Sequence, residues 1–342
     1  MSFDRVQPFV TAGGVVLATG IALAMHFESP WWAAISAWIV AHPETQKVIE
    51  KGAYRIIGTL AGCLGGYLVA SMTEGITLLQ VTVIGFGFTA ATYARFTAEH
   101  AYAWVMFWLV GALTVFVSMQ APSSTTEFVY FRSLEICTGV TAIAVLSILA
   151  QPWRSGAHAA HPEQNASAPG YRDDVAVAAV FGGLVATLTV IMWQFFALPS
   201  QIQVVVSVFT AVAPSLRKME DQITQRLAGC LVGGAAGLLV TSLGVEILWI
   251  WMALLFAGIF ATSFLHHSEG KYTYVGTQAG MAYIICMVAD SGPQTSILPV
   301  IDRAVGIGFA YLILALLLAA LGPWLRLIVR RLNKRHRAQP YL

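Results

Sequence analysis

The chain has 342 residues, of which 57% are hydrophobic and 11% charged, whereas soluble domains carry about a quarter charged residues. That balance excludes a soluble globular domain. The net charge of +2 is no sign of a nucleic-acid partner, because the basic residues mark membrane topology instead.

In chain order, "MSFDRVQP" runs straight into an apolar segment with no charged–apolar–small cleavage pattern, so it reads as a retained anchor. Six apolar segments follow, over about residues 8–26, 30–42, 48–71, 76–94, 101–119 and 129–150. About 20 apolar residues cross a hydrocarbon core. The stretch "RSGAHAAHPEQNASAPGY" then reads as a flexible cytoplasmic linker, 154–171. A second unit repeats the six-segment plan over 172–325, and a basic tail, 326–342, ends the chain.

The repeat is visible without any alignment. A shift of 171 residues, half of 342, lays Pro43 on Pro214, Lys47 on Lys218 and Arg55 on Arg226. Gly58, Gly62 and Gly66 land on Gly229, Gly233 and Gly237. Pro122 lands on Pro293, Arg132 on Arg303, and Trp153 on Trp324. The fold expected is therefore an all-α integral membrane protein of twelve transmembrane helices, in two parallel six-helix repeats over 1–153 and 172–325.

With the N-terminus in the cytoplasm and twelve crossings, all but two of the 19 Lys and Arg face inward. Both termini are then cytoplasmic. The exceptions, Arg132 and Arg303, are repeat partners. Pro43 and Pro214 each precede an arginine, Arg55 and Arg226, by 12 residues. Pro122 and Pro293 precede Arg132 and Arg303 by 10. One pair opens inward and the other outward, so each unit is expected to be a three-plus-three inverted repeat.

Arg55, Gly58, Gly62 and Gly66 share one helix face, as do Arg226, Gly229, Gly233 and Gly237. Small residues let helices pack closely, or line a pore. The arginines either snorkel as anchors or form a cationic path for carboxylates, which a guanidinium pairs bidentately. Two of the four sit on the wrong side for anchors, which favours the path. Glu135 can pair with Arg132 along its helix or titrate beside an anion site. Asp302, Asp290 and His42 are further candidates for proton coupling. Trp38 and Trp104 are candidates for stacking an aromatic substrate. His266 and His267 read as a solvated loop with side chains pointing apart. The four cysteines, Cys63, Cys137, Cys230 and Cys286, lack metal-ligand spacing.

The segments "AWIVAHPETQKVIEKGAYRIIGTLAGCLGGYLVA" and "SVFTAVAPSLRKMEDQITQRLAGCLVGGAAGLLV" resemble the hallmark of the fusaric acid resistance and aromatic acid exporter family. That hallmark is similar to one in the aluminium-activated malate transporters. "YRIIGTLAG" matches its Arg-x-x-Gly-Thr-x-x-Gly pattern fully, and "QRLAGCLVG" has Cys230 in place of the threonine. The resemblance implies an exporter of organic, often aromatic, carboxylates in a bacterial inner membrane, with Arg55 and Arg226 facing each other across a pore. It also implies a periplasmic adaptor protein as partner. Proton gradient or membrane potential is the expected drive, since the chain holds no Gly-x-x-x-x-Gly-Lys-Ser/Thr loop. No enzyme, metal or cofactor is expected. The alternative is a passive anion channel of the malate-channel type.

Overall fold

A computed structural model describes residues 6–154, 171–196, 206–207, 212, 216–268, 270–290, 292–294 and 298–338. Its helices are α1 (Val6–Ala24), α2 (Trp31–Val40), α3 (Thr45–Thr73), α4 (Thr77–Thr97), α5 (Ala101–Gln120) and α6 (Thr125–Leu149). They continue as α7 (Tyr171–Phe196), α8 (Leu216–Thr241), α9 (Leu248–His266), α10 (Thr273–Met287) and α11 (Leu298–Ala338). Between α10 and α11, β1 (Val288–Ala289) and β2 (Gly292–Pro293) form a two-residue antiparallel ladder. Eight of the described helices are long and apolar enough to cross a membrane. The protein is an all-α multi-pass membrane protein.

Local chemistry sets the helix ends. Pro43 disfavours helical backbone at the residue before it, and α2 ends at Val40, two residues short of that residue, His42. Lys51 Nζ donates to the Ile39 carbonyl at 2.6 Å and Arg154 Nη1 to the Pro43 carbonyl at 2.7 Å. The Ile39 carbonyl lies in the last turn of α2, which lacks intrahelical donors, and the Pro43 carbonyl lies in the connection to α3. The turns after α3 and α8 pass through left-handed glycines, Gly75 at φ 77° and Gly244 at φ 61°. Element boundaries recur at an offset of 171: α3 begins at Thr45 and α8 at Leu216, α4 at Thr77 and α9 at Leu248.

The chain divides into two compact units, each drawing on both halves of the sequence. The first holds α1, α2, the start of α3, most of α6 and α8, and all of α9 and α10. In its core, Ala12, Val15 and Ala18 meet Ala33, Ala37, Trp38, Ile143, Leu255, Ile259 and Ile284, all fully buried. Trp38 stacks on His266 at 4.4 Å and donates its Nε1 to the Thr277 carbonyl at 3.0 Å. The second unit holds the rest of α3, with α4, α5, α7 and nearly all of α11. There α4 packs on α5 and α7, and Phe88, Phe116 and Phe181 are buried. In the first unit α9 packs on α10 and α1. The offset that carries α4 onto α9 also carries α5 onto α10 and α1 onto α7.

Candidate functional site

In the first unit, α6 carries Arg132 and, one turn on, Glu135. A spacing of three places both on one face, and Arg132 Nη1 lies 3.0 Å from Glu135 Oε2. The other carboxylate oxygen accepts the backbone N–H of Ser29 at 2.7 Å. Ser29 reaches it because Gly139 brings α6 against α2. A Cβ at that position would stand 2.8 Å from the Ser36 Cβ and would also strike the Ala33 carbonyl. Arg132 and Glu135 are 6% and 1% exposed. Removing one partner of such a buried pair costs about 3–5 kcal/mol, because the other charge is left uncompensated.

Aromatic rings enclose the cation. The Arg132 guanidinium lies 3.9 Å from the ring centre of Trp32 and 4.8 Å from that of Phe128. Trp31 stacks on Trp32 at 4.5 Å. Further carboxylates surround the pair. Glu28 is raised above its ordinary pKa of 4.5 by partial burial first and by Glu127 next, with Arg132 opposing and Asp290 adding. Partial burial also raises Asp290, in the β1–β2 turn. The Arg132 guanidinium thus acts on both Glu135 and Glu28, and Glu127 and Asp290 act on Glu28 in turn.

The other expected residues lie elsewhere. Arg55 and Arg226 both belong to the first unit and are buried, at 4% and 3% exposure. The glycine faces beyond them are covered by neighbouring helices. A Cβ at Gly62 would stand 2.6 Å from the Phe107 carbonyl oxygen, and one at Gly66 2.8 Å from the Gly111 Cα; Gly58 faces Ala103 and Met106. Gly229 faces Val275 and Gln278, Gly233 faces Ala279, and Gly237 faces Cys286. Trp38 is fully buried in the core, while Trp104 is 48% exposed on α5. Asp302 and Arg303 fall in the first turns of α11, with side chains outside the described residues. His42 Nδ1 accepts the Glu44 N–H at 3.0 Å.

One polar cluster escaped the sequence reading. Arg154 Nη2 donates to Gln7 Oε1 at 2.7 Å, and Gln7 Nε2 donates to Thr11 Oγ1 at 3.1 Å. Thr11 Oγ1 lies 2.9 Å from His267 Nε2. Burial first, then His42, Lys51 and Arg154, lowers the His267 pKa to about 3. The expectation of a solvated pair pointing apart is corrected. The His266 and His267 rings are 4.5 Å apart, and His266 Nδ1 lies 2.8 Å from Thr277 Oγ1. Gln7 and Thr11, polar residues one turn apart in an apolar helix, were the available signal.

Arg132 and Glu135 are thus charges buried on a helix long enough to cross a bilayer, where such residues face a cavity or a partner. Residues 9–171 match the model of the fusaric acid resistance protein family. The match ends at residue 171, the length of the repeat period. The chain is similar to the p-hydroxybenzoic acid efflux pump subunit AaeB of Shigella boydii serotype 4, at 30% identity over 40% of this chain and 24% of that protein. The subunits of the same name from Escherichia coli O1:K1 and O157:H7 stand at the same identity and coverage. The chain therefore spans about a quarter of the length of these relatives. No solved structure matches it.

Proposed function

We propose that the chain is a membrane efflux transporter, not an enzyme, and that it exports organic carboxylates, above all aromatic ones. The observation that carries this reading is the buried Arg132–Glu135 pair with its aromatic walls, within a segment that matches the fusaric acid resistance family model. A guanidinium beside indole and phenyl faces suits both halves of an aromatic acid. The name of the relatives points to the same chemistry. In this reading Arg55, Arg226, Arg132 and Arg303 form the cationic path. Protons supply the drive through Glu135, with Asp290 and Asp302 as the further acidic groups in that role. The protein sits in a bacterial inner membrane with both termini cytoplasmic. Twelve crossings form two parallel repeats, and a periplasmic adaptor completes the export route.

The test is flux of p-hydroxybenzoate in proteoliposomes under an imposed pH gradient. Uphill movement that collapses with the gradient is expected. Purely downhill current would make the protein a passive anion channel. Unchanged flux after joint replacement of Arg55 and Arg226 by glutamine would remove those two residues from the path.

A further inference from the structure

A carboxylate already occupies the one fully described anion seat in this protein, and it is the chain's own. Glu135 holds a guanidinium nitrogen with one oxygen and a backbone N–H with the other, at 3.0 and 2.7 Å. Two donors converging on two carboxylate oxygens are what a bound organic acid would require. The flat faces of Trp32, Phe128 and Trp31 stand beside the seat, although Glu135 itself has no ring to set against them.

We infer that Glu135 is a tethered stand-in for the transported acid: when it takes up a proton, it leaves the seat formed by Arg132 and the Ser29 N–H, and an aromatic carboxylate replaces it. This deepens the efflux reading and rests on it. Arg132 can neutralise only one carboxylate in a buried space, since a second would remain unpaired at a cost of several kcal/mol. Ligand binding and protonation of Glu135 are therefore obligatory partners. One proton passes from solvent to a Glu135 oxygen for each carboxylate that binds, and returns to solvent when the carboxylate leaves. Among the described residues, the charged groups acting on the seat are Arg132 on the same helix, Glu28 before α2 and Asp290 in the β1–β2 turn, with Glu127 at the start of α6 acting on Glu28. The three acidic ones stand nearer solvent than Glu135 and can pass that proton inward.

By linkage, the bound acid raises the proton affinity of Glu135 by the same factor that the proton raises affinity for the acid. Binding of p-hydroxybenzoate to the purified full chain should strengthen as pH falls from about 8 towards 6, by at most about tenfold per unit and levelling off once Glu135 is protonated in the free protein, while the benzoate stays ionised. Calorimetry at the alkaline end of this range, in buffers of different ionisation enthalpy, should record uptake of up to about one proton per ligand. Glu135→Gln is nearly isosteric, vacates the seat electrically, and should bind with no pH slope. Arg132→Gln in the Glu135→Gln background should weaken that binding at least tenfold. Wild-type binding without proton uptake, or a Glu135→Gln slope equal to wild type, would overturn the exchange. If Glu135→Gln fails to fold, wild-type proton uptake and the retained slope of Glu135→Asp decide the matter. Flux of p-hydroxybenzoate with a flat binding profile sinks the exchange alone. Absence of flux sinks the efflux reading and the exchange with it.

Discussion

The Arg132 guanidinium has an ion-pair partner on one side and aromatic faces on the others, and these contributions separate experimentally. Replacing Trp32 with leucine keeps an apolar wall but removes the ring quadrupole. The expected loss is about 0.5–2 kcal/mol, read as a lower thermal midpoint of the detergent-solubilised protein. The same change at Trp31, which touches Trp32 rather than the cation, should cost less. The Arg132–Glu135 pair was legible because three-residue spacing on a helix leaves few alternatives. The Ser29 donor was not, because it comes from a connection 106 residues away whose path no local pattern specifies.

Among the elements, the two glycine ladders show what a repeat can and cannot reveal. Their spacing announced a groove, but a groove of small residues serves a close helix partner or an open path equally well. The structure fills it with α5 on one side of the repeat and α10 on the other. Side chains added there meet backbone, which cannot swing aside. Gly62→Ala should destabilise by about 1–3 kcal/mol through overpacking, and Gly233→Ala, against the Ala279 carbonyl, by a similar amount. Gly234, one residue further on, has open space around its missing side chain. Gly234→Ala should be neutral or stabilise by up to about 1 kcal/mol through helix propensity. Thermal midpoints of the three variants in one detergent check the set. Equal effects at residues 62 and 234 would mean that the ladders are not the helix contacts described.

At the scale of the whole molecule, the proposed orientation of the second repeat depends on α2, the shortest described α-helix, and on its counterpart one period on. Ten residues give α2 about 15 Å, half of a hydrocarbon core about 30 Å thick. If α2 fails to cross, the first repeat makes an odd number of passes and the second must be inverted. Two observations favour an even count. Residues 41–44 add at most about 13 Å when extended, so Trp31–Glu44 reaches about 28 Å, close to one core thickness. Lys51 and Arg154 also satisfy the Ile39 and Pro43 carbonyls along that route, as a non-helical segment at membrane depth requires. The distribution of Lys and Arg agrees, since an inverted second repeat would move Arg217, Lys218, Arg226 and Lys271 to the outer face. Single cysteines placed in a background without Cys63, Cys137, Cys230 and Cys286 test this directly. Glu74→Cys, in the α3–α4 connection, and Glu246→Cys, in the α8–α9 connection, should both react with an impermeant maleimide on intact cells. His100→Cys and Lys271→Cys, one full period apart in the α4–α5 and α9–α10 connections, should react only after the membrane is opened. Labelling of Glu74→Cys from outside with Glu246→Cys protected would show an odd number of crossings between the two sites and hence an inverted second repeat.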